Sequence, residues 1–235
     1  MREIAPALWV FEAPHRGPAF GLPALNVEMG RRMTVCRLGD GALWIHSPAP
    51  LTDELRASLE TLGDPRFVVA ANAYHGHMFM EQYRDAYPGV QLFAAPGLDR
   101  RRKDLAFDAL LGSVPDPRWS GELDQEVFLG HFVPEVVFLH RASRTLILGD
   151  LVTGPFPRAS VSLTSWLYWR VEGVSGEPVT MLTYRLTTRN RRAARASVER
   201  ILEWDFDRIL VGHGQSVETG GRAAFERAMA WLGDG

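Results

Sequence analysis

Four short stretches carry side chains of the types that bind metals or move protons. They are His75 and His77 in Asn72-Ala73-Tyr74-His75-Gly76-His77, His131 after Gly130, Asp150 after Gly149, and His213 after Gly212. Neutral imidazole and carboxylate hold Zn²⁺ or non-haem iron, whereas an oxygen-only set would suit Mg²⁺ or Ca²⁺. Two histidines one residue apart on a loop can reach one centre. Elsewhere a glycine precedes the donor and lets the backbone come close. Any one of these stretches is weak evidence, since an Asp after a strand is commonly a turn residue. Together they are the parts of a metal site. Such a site lowers the pKa of bound water to about 7. His77 could act as a general base instead of a ligand, since an unperturbed imidazole titrates at about 6.5.

The elements that must position these donors are legible in the apolar patterning. Arg66 to Ala71 reads as a buried strand running into His75 and His77, Thr145 to Leu148 as one ending at Gly149-Asp150, and Arg208 to Val211 as one delivering Gly212-His213. Strand ends on a rigid sheet are a usual place for chemistry. Upstream, Leu8 to Phe11, Met33 to Leu38 and Ala42 to His46 are strand candidates, with Gly39-Asp40-Gly41 turning a hairpin. Thr52 caps a helix with Leu55, Leu59 and Leu62 on one face, closed by Gly63. A second helix carries Phe79 and Tyr83 and stops before Pro88, and Val90 to Ala94 is the next strand. This β-α-β order suits a layered sheet with outer helices.

Residues 96–129 read as an insertion beside the site, with a short helical piece near Leu105 to Leu111. Val136 to Leu139 pairs with Thr145 to Leu148 through a turn at residues 140–143. Gly154 to Glu177 reads as an aromatic loop with Trp166, Tyr168 and Trp169. It could fill the core, close over the cleft or pack against a second copy in a homodimer. Asn190 to Leu202 and Arg222 to Leu232 are helices. His140 is expected to hold the Ser143 turn, and His46 to end its strand with its ring hydrogen-bonded locally. No repeat or linker divides the chain, so residues 1–235 read as one domain.

With 235 residues, 46% hydrophobic and 23% charged, the composition is that of a globular protein with a large core. A net charge of −2 points away from nucleic acid and anionic membrane surfaces. The basic runs Arg100 to Lys103 and Arg189 to Arg195 read as solvated faces. The single cysteine, Cys36, permits no internal disulfide and lies in a strand pattern as a small hydrophobe. With no signal peptide visible, a cytoplasmic protein is expected. No stretch approaches the ~18 apolar residues of a membrane span.

The order of these motifs resembles the metallo-β-lactamase superfamily: a strand, His-x-His-x-Asp-His and a helix, later a Gly-His, then strand and Gly-Asp, finally strand and Gly-His. The resemblance runs from about Met33 to the C-terminus. It is closer still to an uncharacterised branch of that superfamily, carried by Arg37-Leu38-Gly39-Asp40-Gly41, His46-Ser47-Pro48, Tyr87-Pro88, Ala95-Pro96-Gly97-Leu98 and residues 138–146. It implies an α/β (α+β) fold, a four-layer αββα sandwich with metal at one edge of two sheets. In one register Ala73 falls on the first motif His, His75 on the second, His77 on the motif Asp and Met78 on the third His. In the other, His75 and His77 are the first two ligands. Either way the motif Asp is missing. Five donors remain (His75, His77, His131, Asp150 and His213), short of the roughly six a two-metal centre needs. The resemblance therefore implies a degenerate, mononuclear Zn²⁺ or iron hydrolase acting on a small molecule. Its rival is a non-catalytic member that binds a small molecule or a protein partner. A non-haem iron redox protein fits less well, because the Glu/Asp-rich ligand set of such relatives is absent.

Overall fold

The computed structural model describes residues 1–19, 22–74 and 76–233, apart from the side chains of Pro23 and Ala24. The first half runs β1 (Arg2–Ala5), β2 (Leu8–Ala13), β3 (Arg16–Ala19), β4 (Leu22–Glu28), β5 (Arg31–Arg37), β6 (Ala42–His46), α1 (Asp53–Leu62), β7 (Asp64–Ala70), α2 (Met80–Ala86), β8 (Gln91–Ala94), α3 (Leu98–Arg101) and β9 (Ala109–Leu110). The second runs β10 (Leu123–Phe128), β11 (Glu135–His140), β12 (Thr145–Ile147), α4 (Leu163–Val171), α5 (Leu182–Thr187), α6 (Arg191–Leu202), β13 (Arg208–Leu210) and α7 (Gly221–Met229).

Strands β1-β2-β5-β6-β7-β8-β9 form one sheet and β10-β11-β12-β13 a second, while β3 and β4 pair as a separate ribbon. Period-2 alternation assigns each face. Trp44, Phe67 and Val69 point to a core between the sheets, where Phe138, Ile147 and Leu210 meet them. Their neighbours Ile45, Val68 and Ala70 face outward onto α1 and α2 through Leu55, Leu59, Met80 and Tyr83. On the other sheet Val137, Leu139 and Leu146 face outward onto α6 and α7 through Val198, Ile201, Phe225 and Met229. Three apolar layers thus separate four layers of structure, the αββα sandwich. Each fully buried large side chain in them contributes about 1.5–3 kcal/mol.

Local signals act as read from the sequence. Thr52 Oγ1 accepts from the Leu55 amide at 3.2 Å, worth about 1 kcal/mol as an N-cap. His140 Nδ1 lies 2.7 Å from Ser143 Oγ and braces the β11–β12 turn. Three expectations are corrected. Residues 105–111 hold no helix; Ala109–Leu110 adds an edge strand beside β8. The aromatic segment is not a loop, because Ser162 caps α4 and Trp169 packs on Val27 of the β3–β4 ribbon. His46 lacks its local hydrogen bond: its Nε2 has no partner among the described residues, and the ring stacks on Trp44 at 5.7 Å. Burial pushes its pKa down to about 4, so it sits there as neutral imidazole.

Candidate functional site

The second sheet brings two donors together by register. Strands β12 and β13 are parallel, with Ile147 opposite Leu210. Asp150 and His213 each follow three residues later, so the two turns leave the sheet side by side. The Gly212 amide donates to the Gly149 carbonyl at 3.1 Å. A Cβ on Gly212 would lie 2.6 Å from that oxygen, so glycine is required there. His213 Nε2 then lies 3.1 Å from Asp150 Oδ1, both side chains buried.

Three further elements fix this pair. The Gly30 carbonyl accepts from His213 Nδ1–H at 2.8 Å, which turns Nε2 toward the carboxylate. Asn72, beyond the end of β7, donates from Nδ2 to Asp150 Oδ2 at 2.7 Å and to Glu135 Oε2 at 2.9 Å. Glu135, at the head of β11, accepts the amides of Gly149, Asp150 and Leu151 and so sets the turn that carries Asp150. Its own pKa is raised, first by burial and then by the charge of Asp150. Arg31, the first residue of β5, completes the recess with Ser47, Gly76 and Arg32. Burial lowers its pKa and the Asp150 charge opposes that shift.

A lone pair facing a carboxylate oxygen at 3.1 Å is repulsive unless a proton or a metal cation lies between them. Two donors on one tetrahedral ion, with bonds of about 2.0–2.2 Å, are separated by roughly 3 to 3.5 Å. A metal-bound histidine characteristically donates its other N–H to a carbonyl or carboxylate, as His213 does to Gly30. The pair therefore fits half of a metal site. Among the described residues no three His, Cys, Asp or Glu side chains are arranged to hold an ion.

The other expected donors lie differently. His75 lies outside the described residues. His77 accepts from Arg102 Nη1 at Nδ1, 3.0 Å away, so the ring proton is on Nε2 and neither nitrogen offers a lone pair. His131 has both ring nitrogens engaged: Nδ1 lies 2.9 Å from the Val133 carbonyl and 3.1 Å from the Val133 amide nitrogen, and Nε2 lies 2.8 Å from Thr187 Oγ1 and 3.4 Å from the Tyr74 hydroxyl. Its ring stacks on Tyr184 at 3.9 Å. The structure thus brings together Asp150 and His213 and ties His77 and His131 elsewhere. Asn72, Glu135 and Arg31 were not identified as site residues from sequence. A carboxylate heading the apolar run Val136 to Leu139, and two arginines heading Met33 to Leu38, were the available signals.

Outside the recess, a cleft of about 380 Å³ shares Arg31, Arg32 and Gly212 with it and is walled by Met29, Phe156, Pro157 and Val161. Among the described residues no helix is long and apolar enough to cross a membrane.

The sequence profile of the family described as Domain of unknown function (DUF4336) matches residues 7–155. No curated protein matches the chain. Among solved structures, a metallo-β-lactamase from Hirschia baltica is 13% identical and superposes with a TM-score of 0.63, covering 98% of this chain and 95% of that one. The mono-zinc form of the metallo-β-lactamase FIM-1 from Pseudomonas aeruginosa is 15% identical, with a TM-score of 0.61 over 98% and 93% of the two chains. The metal-soaked flavodiiron core Flv1 from Synechocystis is 12% identical, with a TM-score of 0.66, covering 97% of this chain and 59% of that one. The fold is that of the metallo-β-lactamases.

Proposed function

The chain belongs to the family described as Domain of unknown function (DUF4336), and from that premise we propose that it is a metal-dependent hydrolase with one ion, Zn²⁺ or iron. Asp150 and His213 would hold the ion, with His75 as the candidate third ligand. The observation that carries this reading is the 3.1 Å approach of His213 Nε2 to Asp150 Oδ1 with Nδ1–H spent on Gly30. Three protein ligands and an open position are the usual catalytic arrangement. When bound, such an ion supplies Lewis acidity toward a scissile carbonyl or phosphoryl group and toward water.

The chain's own residues do the positioning. Gly30 fixes the His213 tautomer, Asn72 turns Asp150 so that Oδ1 faces His213, and Glu135 locks the Gly149 to Leu151 backbone. The cleft beside them would admit a small molecule.

A second reading, a metal-free binding protein on the same fold, is favoured by one observation: the Arg31 cation already lies in the recess with Asp150. Elemental analysis of untagged full-length protein after Zn²⁺ incubation and gel filtration decides between them. Near-stoichiometric metal, lost in Asp150→Ala and in His75→Ala, supports the hydrolase and justifies screening esters, lactones and phosphodiesters. No uptake by the wild-type protein sinks it.

A further inference from the structure

Arg31 and Arg32 are chain neighbours at the head of β5 with opposite fates. Arg32 spends its guanidinium on protein: Nη2 and Nε donate to Glu12 Oε1 at 2.7 and 3.1 Å, Nη1 to the Val211 carbonyl, and Nη2 also to the Gly214 carbonyl. Arg31 is as deeply buried, 6% exposed. Yet its contacts are a sulfur, Met78 Sδ at 3.3 Å from Nη2, and the Phe79 ring 4.7 Å beneath Cζ. Nε and Nη1 have no hydrogen-bond partner among the described residues.

Three N–H hydrogens, one on Nε and two on Nη1, are thus buried without an acceptor among the described residues. Leaving such donors unmade costs the full desolvation penalty, and a sulfur or a ring does not return it. As packing, a methionine or leucine would serve at lower cost. The Asp150 charge offsets part of the cost of burying this cation, but it gives Nε and Nη1 no acceptor, which an oxyanion in the cleft would supply. Arg31 lines both the recess that holds Asp150 and His213 and the larger cleft outside it. The acids in that cleft are already used: Glu12 by Arg32, and Glu28 by Arg16, Ser162 and Ser165. The rest of the wall is largely apolar.

We propose that Arg31 anchors an oxyanion, a carboxylate or a phosphate, on an otherwise weakly polar small molecule bound in this cleft, with its adjoining atoms beside Asp150 and His213. The inference rests on the reading that the cleft is the substrate site, and it names the substrate class. A volume of about 380 Å³ is within the range of small-molecule sites.

The test is calorimetry on the full chain with benzoate, phenyl phosphate and neutral benzamide, in chelator-stripped and Zn²⁺-loaded protein. Benzoate or phenyl phosphate is expected to bind at least about tenfold more tightly than benzamide, and the tighter of the two identifies the anion. Arg31→Gln should weaken it on the order of 30-fold or more. Arg31→Met guards against a folding artefact. It should remain folded by circular dichroism while losing the anion. Binding of neither anion, equal binding of benzamide, or unchanged affinity in Arg31→Gln or Arg31→Met would each overturn the inference. Binding that vanishes on chelation assigns the anion to the metal, overturning this inference and leaving the hydrolase reading standing. Anion binding through Arg31 in protein that takes up no metal does the reverse.

Discussion

The turns Gly130-His131 and Gly212-His213 share a dipeptide and both lie against a sheet edge, yet they do different work. His213 gives Nδ1–H to a carbonyl from the first sheet's side of the molecule and turns Nε2 to Asp150. His131 has Nδ1 against the Val133 backbone and Nε2 against Thr187 Oγ1, and lays its ring on Tyr184. One imidazole turns a ring nitrogen to a buried carboxylate, and the other is held between backbone and hydroxyl groups. On the proposed reading, the partner of the second nitrogen is what would make His213 a ligand.

That contrast can be broken by experiment. The largest effect is expected for His213→Ala, which should abolish Zn²⁺ retention measured by elemental analysis, while His131→Ala retains it. Loss of metal in both, with both folded by circular dichroism, would erase the distinction. Next comes acid sensitivity at a third histidine. His46 has a folded pKa of about 4 against an ordinary 6.5, so the native state binds fewer protons than the unfolded chain between those values. Stability is then full above pH 6.5 and falls as pH drops toward 4, by up to about 3 kcal/mol. His46→Phe, in the stack with Trp44 and Phe138, should flatten the urea-midpoint profile across that window.

Asn72→Ala should weaken metal binding by roughly 10–100-fold, because Asp150 loses the amide that orients it. Unchanged affinity would show that the Glu135 cradle alone sets the carboxylate. The smallest effect expected is the stability cost of His131→Ala, about 1–3 kcal/mol, from unpaired Thr187 and Val133 groups, read from chemical denaturation. A neutral result would mean that the Tyr184 stack and these hydrogen bonds contribute nothing.

The layers were legible because their signals are local and periodic. Phe67, Val68, Val69 and Ala70 alternate between two cores, and Leu55 and Leu59 recur on one helical face. Residues 105–111 were misread because a short apolar run has no decisive period, and the β8 edge decided it. α4 was missed because apolar residues occupy both its faces and leave no single amphipathic period: Leu163, Leu167 and Val171 line an exposed face while Tyr168 and Trp169 are buried against the β3–β4 ribbon.

By itself the sequence determined the alternating strands, the capped helices, the glycines that permit close turns and the donor types available for a metal. Only the tertiary structure decided which donors meet. The parallel register of β12 and β13 sets Asp150 beside His213, and the carbonyl that orients His213 comes from Gly30, far away in the chain. It also left Arg31 Nε and Nη1 without an acceptor among the described residues, while its neighbour Arg32 makes four hydrogen bonds to three oxygens. A side chain's type is a property of its own residue, but its hydrogen-bond partners are set by distant backbone, and the chemistry of an imidazole or a guanidinium follows from those partners.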